Sequence, residues 1–336
     1  MKIHLPPEWA PQTFVQLTWP HEETDWADNL AEVNACFVEI AHAITSFQNL
    51  LIVCKDAQQV RDLLGEYDTN KISFVVLPSN DTWARDHGGI TIFEGCKTTI
   101  CDFAFNGWGK KFPAVLDNQI TAKLFEKGIF GKDVAYRNQL DFVLEGGSIE
   151  SDGQGTLLTT STCLLSANRN DLSQPEIEEK LMNFFGLDRV LWLHHGYLQG
   201  DDTDSHIDTL ARFCDEKTIA YVQCTDVEDV HYIALQKMEK ELQSFRTLSG
   251  HPYQLVALPM ADAVYHEGER LPATYANFLI INGAVLVPTY NSAKDKIAMD
   301  ILQKVFKDRK IIGIDCLPLI KQHGSLHCVT MQYAAR

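Results

Sequence analysis

In the stretch Gly200-Asp201-Asp202-Thr203-Asp204-Ser205-His206-Ile207-Asp208 an imidazole and a carboxylate stand two residues apart behind an acidic turn. From His206 to Phe213 the chain is rich in Ile, Thr, Leu and Phe, which predicts a strand. On a strand His206 and Asp208 point to one face. Such a pair can move protons, and it would equally serve as a capping turn leading into a salt-bridged surface strand. Asp202 and Asp204 begin like a calcium loop, yet the glycine and the closing glutamate of that loop are missing. Cys328, in Gly324-Ser325-Leu326-His327-Cys328, has a glycine ahead of it that would let a substrate approach the backbone. On an alternating strand it is either a packed small hydrophobe or a nucleophile, and a nucleophile needs a cation nearby to favour the thiolate. His206 could play that part and then act as general acid and base.

The cation can also be the substrate. Asp86 and Asp208 could each accept paired N–H donors from a planar guanidinium. Glu145, followed by Gly146-Gly147, could hold a third edge of that cation or orient His206; its other reading is the end of a buried strand at a Gly-Gly turn. Trp83 and Trp108 could wall an aliphatic chain that carries a guanidinium, or pack in the core. Arg85 reads as a structural partner for these acids. His323 and His327 lie four apart without the glutamate of a zincin motif, so no metal is expected.

Side chains so far apart in sequence need a frame that gathers them. Thr13–Trp19 alternates as a strand does, and Leu30, Val33, Phe37, Ile40, Ala41 and Ile44 recur at helical spacing before a buried strand at Leu50–Cys54. Further helices are predicted at 57–65, 117–127, 174–185, 227–246 and 293–307, with short apolar strands at 190–193, 254–258 and 311–314. Between the helices lie four hairpins. Ile90–Gly95 turns into Thr98–Cys101, Ser148–Gly153 into Thr156–Thr159, Ala211–Asp215 into Ile219–Val222, and Asn277–Gly283 into Val285–Pro288. The Asp-Gly and Asn-Gly turns carry the stronger hairpin signal. Hairpin, helix and strand thus recur at a spacing of roughly 55–65 residues, a structural repeat with hardly any identity between copies.

A fifth hairpin can be assembled from the two ends, with Leu326–Gln332 beside Thr13–Trp19, which would close a ring. Asp86 lies just before the first hairpin and Glu145 just before the second; His206 and Asp208 open the third, Asn277 the fourth and Cys328 the fifth. Equivalent positions converge at one end of such a ring, so Asp86, Glu145, His206, Asp208 and Cys328 are expected in one pocket. No linker or domain boundary interrupts the chain, and residues 1–336 are expected to form one domain.

The totals agree with a small cationic ligand. The chain has 336 residues, 45% hydrophobic and 22% charged, with a net charge of -16 that argues against nucleic acid and anionic membranes. No apolar run suited to a signal follows Met1-Lys2-Ile3-His4-Leu5-Pro6-Pro7, and no stretch is long and apolar enough to span a bilayer. The nine cysteines are odd in number, scattered and without a CxxC pair, which fits reduced thiols in a cytoplasmic protein.

Five motifs occur in order: Trp83-Ala84-Arg85-Asp86, Phe105-Asn106-Gly107-Trp108-Gly109, Leu144-Glu145-Gly146-Gly147, the Gly200–Asp208 stretch, and Leu326-His327-Cys328-Val329-Thr330. Together with Pro6-Pro7-Glu8-Trp9 and Leu17-Thr18-Trp19-Pro20 they resemble the agmatine deiminase family, relatives of the bacterial peptidylarginine deiminases. The resemblance covers nearly the whole chain. It implies a five-bladed pseudo-symmetric α/β propeller, the pentein fold, built of ββαβ units. It also implies cofactor-free hydrolysis of a guanidinium in which Cys328 attacks the guanidinium carbon held by Asp86 and Asp208. His206 would protonate the departing ammonia and then activate water, with Glu145 steadying both. A homodimer is the family habit. Several positions depart from the family pattern: Gln322-His323-Gly324-Ser325 replaces a Gly-Gly-Gly-Asn run, Ser205 a glycine, Thr209 an asparagine, and His87-Gly88-Gly89 follows Asp86 in place of x-Gly-Pro. These changes touch the pocket wall and leave open whether the substrate is agmatine, with Asp202 or Asp204 at its amine, or free or peptidyl arginine. A zinc hydrolase built on His206 and Asp208, or a binder of guanidinium ligands without turnover, are the readings from other classes.

Overall fold

The computed structural model describes residues 2–336. One plan recurs in it five times: an antiparallel hairpin, then a helix, then a strand running parallel to a strand of that hairpin. In the first unit the hairpin is Ile90–Glu94 with Lys97–Ala104, the helix Ile120–Glu126 and the returning strand Ala135–Val143. The second runs Ile149–Ser151, Thr156–Thr160, helix Gln174–Phe185, strand Arg189–Leu193. The third runs Ala211–Asp215, Thr218–Gln223, helix Tyr232–Ser244, strand Gln254–Pro259. The fourth runs Leu279–Ile281, Ala284–Thr289, helix Ala293–Val305, strand Lys310–Asp315. A parallel return needs a crossover, and each helix supplies it.

The fifth unit takes strands from both ends of the chain. Thr330–Ala334 pairs antiparallel with Gln12–Thr18, Thr330 standing opposite Leu17. Helix Leu30–Thr45 then leads to Asn49–Cys54, which lies parallel to Gln12–Thr18, and Ile72–Val76 adds a fourth strand. Val33, Phe37, Ile40, Ala41 and Ile44 form the buried stripe of that helix, each large side chain contributing about 1.5–3 kcal/mol relative to an exposed one. In the fourth unit Leu279, Ile280 and Ile281 are all fully buried, as in strands covered on both faces. Among the described residues no helix is long and apolar enough to cross a membrane.

Three local expectations are corrected. The strand predicted from His206 starts only at Ala211, and Ile207–Thr209 form a single 3-10 turn with His206 ahead of it. The cause is Asp201, whose carboxylate accepts from the backbone N–H of Thr203 and Ser205 and from the Thr203 hydroxyl, while Asp204 and Ser205 take left-handed φ of 65° and 64°. That acidic turn curls the chain until Leu210. The strand predicted at Leu326 begins at Thr330, because the N–H and hydroxyl of Thr330 both donate to the carbonyl of His327 and close a turn there. The helix predicted at 227–246 begins at Tyr232, since Asp229 accepts from the N–H and ring of His231 and holds a turn in its place.

Candidate active site

Each chemically interesting side chain stands on the turn ahead of a hairpin. Asp86 belongs to the one-turn helix Ala84–His87, Gly147 to the 3-10 turn Gly146–Ser148 that Glu145 precedes, and Asp208 to Ile207–Thr209. Asn277 precedes the fourth hairpin, and Cys328 sits in the turn before the last strand. Asp86, Glu145, His206, Asp208 and Cys328 are all buried. Gly147 lies where three of them meet. A Cβ added there would fall 2.6 Å from Nδ1 of His206, 2.8 Å from Oδ1 of Asp86 and 3.1 Å from Oδ2 of Asp208. Only glycine leaves that space to the functional groups.

Each acid is held by different donors. Oδ2 of Asp86 accepts from the indole N–H of Trp108 at 2.9 Å, and Oδ1 from the backbone N–H of Gly147 at 3.0 Å. Nδ1 of His206 is 3.6 Å from Asp86 Oδ1. Asp208 accepts from Nδ1 of His327 at 2.7 Å through Oδ2, while its Oδ1 is buried without a hydrogen-bond partner. Glu145 accepts from Nε of Arg169 with both oxygens, at 2.9 and 3.1 Å. The thiol of Cys328 faces Oδ1 of Asn277 at 3.4 Å, and the same oxygen accepts the backbone N–H of His327 at 2.9 Å.

A cavity of about 150 Å³ opens onto Cys328 and Asp86. Trp83, Trp108 and Phe112 wall it, the two indoles meeting edge to face with centroids 6.3 Å apart. Gly324 makes room for this wall, since a Cβ there would strike the Trp83 ring at 2.1 Å. Trp108 reaches Asp86 because the chain coils left-handed through Gly107, Trp108 and Gly109, at φ 68°, 53° and 83°. Asp25, Asp81 and Asp202 also line the cavity, and among the described residues no lysine or arginine does.

The acids of the site disfavour charge on one another and on the thiol. Burial pushes the carboxyl of Asp86 well above its usual range, and the charges of Asp208 and Glu145 push it further. Burial also raises the thiol of Cys328, with Asp208 and Asp86 adding to the effect. Burial drives His206 down to about 3, so its imidazole is neutral. Asp208 goes the other way: burial alone would raise it, but the hydrogen bond and charge of His327 hold it below the ordinary value. A cation entering this space would lower both Asp86 and Cys328.

Two sequence expectations do not hold. Asp204 is not at the cavity, because Nη1 of Arg169 and Nζ of Lys111 each hold its carboxylate at 2.7 Å. Arg85 turns away from Asp86, as neighbours on a helical turn do. It donates toward the carbonyl of His327 and comes within 3.8 Å of Glu8. Asp202 does line the cavity. Arg169, His327, Asn277, Asp25 and Asp81 were not among the expected site residues, although Asn277 lay in phase with the others. Two buried clusters have ligand-type atoms within 4.8 Å of one another: Glu145, Cys163 and His206, and Glu8, Glu150 and His327. In both an arginine already occupies the carboxylates, Arg169 on Glu145 and Arg212 on Glu8 and Glu150.

Comparison with known proteins finds relatives over nearly the whole chain. An agmatine deiminase of Pseudomonas aeruginosa (strain UCBPP-PA14) is 32% identical over 359 residues, spanning 99% of this chain and 96% of that one. A crystal structure from Porphyromonas gingivalis superposes with a TM-score of 0.96 at 57% identity, covering 99% of this chain and 98% of its own. A C. jejuni agmatine deiminase solved with substrate bound gives 0.93 at 41% identity, covering 99% and 96%. The model of the Porphyromonas-type peptidyl-arginine deiminase family matches residues 4–334, and the chain belongs to that family.

Proposed function

We propose that this chain is an agmatine deiminase, a hydrolase that converts the guanidinium of agmatine to a ureido group and releases ammonia. The observation that carries the choice of substrate is the mouth of the cavity, where Asp25, Asp81 and Asp202 stand with no lysine or arginine among the described residues. Lys111 is committed to Asp204 and to the backbone oxygen of Asp202. A primary ammonium is attracted to three carboxylates, and the α-carboxylate of arginine is repelled by them. The names of relatives divide on this point. The Pseudomonas and C. jejuni proteins are agmatine deiminases, the family description names peptidyl-arginine, and the name of the P. gingivalis protein proposes an arginine deiminase.

In the proposed reaction Asp86 and Asp208 grip the guanidinium, and the indoles of Trp83 and Trp108 flank its alkyl chain. The sulfur of Cys328 adds to the guanidinium carbon; its thiol proton passes through His206 to one amino group, which leaves as ammonia. A thiouronium remains on sulfur. Water then adds to the same carbon and gives a proton to His206. The C–S bond breaks, the thiol is restored, and the ureido product departs while ammonia takes up the remaining proton. Glu145, pinned by Arg169, steadies His206. We read the five units as blades around a common axis, a pentein propeller formed by the whole chain as one catalytic domain. The nine free cysteines suit a cytoplasmic setting, in which a thiol nucleophile stays reduced.

The test is ammonia release from agmatine, arginine and a peptide ending in arginine, by the wild type and by Cys328→Ala. Turnover of agmatine that disappears in the variant is the expected result. Faster turnover of arginine or the peptide would keep the chemistry and overturn the substrate.

A further inference from the structure

Behind Asp208 lies a buried ion cluster that the reaction above does not use. The imidazole of His327 is hydrogen-bonded at both nitrogens by carboxylates, Nδ1 to Asp208 Oδ2 and Nε2 to Glu8 Oε2, each at 2.7 Å. His327 and Glu8 are 1% and 8% exposed, so neither bond is shared with bulk water. Glu8 is itself fixed, since Nη2 of Arg212 reaches its Oε2 at 2.9 Å and the backbone N–H of Ile280 its Oε1 at 2.7 Å. Arg212 is fully buried and spans to Glu150 and to the carbonyl of Phe278. An ionised carboxylate only accepts hydrogen bonds. The ring is therefore the donor to Asp208 through Nδ1 and stands directly behind it, with Glu8 against its far nitrogen.

We propose that His327 is a positioning residue for guanidinium capture, a role that rests on the function proposed above: braced by Glu8, it clamps one oxygen of Asp208 and leaves the other for the substrate. The unpartnered Oδ1 of Asp208 is the trace of that arrangement. The clamp also keeps Asp208 charged among unfavourable neighbours. Asp86 comes from the helical turn Ala84–His87, Asp201 from the acidic turn and Cys328 from the last turn, while His206, Arg85 and Arg212 favour the charge. Without His327, burial would favour the neutral carboxylic acid, which cannot accept two guanidinium donors.

Two side chains separate this role from a packing role. In His327→Asn the amide nitrogen can replace Nδ1, keeping the donor to Asp208 and losing Glu8. In His327→Gln the amide can replace Nε2, keeping Glu8 and losing Asp208. The expected result is a fall of at least tenfold in kcat/KM for agmatine in His327→Gln, carried mostly by KM, with the acid limb of the pH profile moved to higher pH. His327→Asn should recover most of that loss. Glu8→Gln keeps an acceptor without the charge, and it should move the acid limb in the same direction by less; it serves if the histidine variants do not fold. Protection of Cys328 from a thiol alkylating reagent by methylguanidine should weaken in parallel. That readout needs no turnover, so a wild type silent on agmatine would sink the substrate and still test the clamp. Folded variants that keep the wild-type acid limb and wild-type methylguanidine protection would overturn the proposal.

Discussion

The buried carboxylates set what the site can bind. Asp86, Glu145 and Asp208 come together with their solvent removed, and only Glu145 has an arginine of its own, Arg169. Their mutual repulsion is relieved by protons in the ligand-free state and by a cation in the bound state, so substrate charge and nucleophile activation are coupled. The mouth adds a second acid whose charge changes within the working range. Burial pushes Asp81 up to about 6, despite hydrogen bonds from the Thr82 N–H and the Trp26 indole, both at 2.8 Å. Below that value Asp81 is neutral; above it the mouth gains a negative charge that favours the ammonium end of agmatine. The KM for agmatine should therefore fall as pH rises through about 6, and Asp81→Asn should remove that step. Butylguanidine, which has no ammonium, should show no such step in either enzyme. A step of equal size for both substrates would place the titrating group at the guanidinium and not at Asp81.

Positions repeated in every unit were legible from sequence, and positions set by a single loop were not. The hairpins announced themselves through alternation and Asp-Gly or Asn-Gly turns, and the chemically active residues lay at one phase of that repeat. Cys328, Asp86 and Asn277 could be read in this way, although the strands expected at His206 and Leu326 turned out to be tight turns. Those turns depend on side chains reaching back to the chain, Asp201 in one and Thr330 in the other, which apolar periodicity does not register. Arg169 had no signal at all. It sits in the irregular link between Ser161–Leu164 and the helix Gln174–Phe185, yet its side chain is fully buried between Glu145 and Asp204. Its removal should be costly, because it leaves a buried carboxylate unpaired. Arg169→Met should destabilise the protein by about 3–5 kcal/mol in denaturant unfolding, with Arg169→Met/Glu145→Gln regaining a substantial part. A loss below about 1 kcal/mol would mean that Glu145 takes a proton at little expense and that its charge does not matter to the fold.

Across the whole molecule, charge is arranged in two layers with different sensitivity to salt. Inside, Glu8 from the N-terminal segment, Arg85 from the first unit, Glu150 from the second, Arg212 from the third and His327 from the fifth form one buried cluster. Four of the five units and the N-terminal segment are thus tied by charges that break unpaired if any one contributor is displaced, a device for specificity more than for net stability. Over the whole chain 45 acidic residues against 29 basic ones leave a net charge of -16, and most of these groups lie outside the buried set. That outer layer attracts a dication from solution, and it is screened over about 10 Å at 0.1 M salt, whereas the buried cluster is screened far less. Raising ionic strength from about 10 mM to about 300 mM should lower kcat/KM for agmatine several-fold while leaving kcat nearly unchanged. Asp202→Asn at the mouth should reduce that dependence only in part, since the remainder belongs to the net charge. If kcat falls together with kcat/KM, salt is reaching the inner cluster, and the interior is more open to ions than its burial implies.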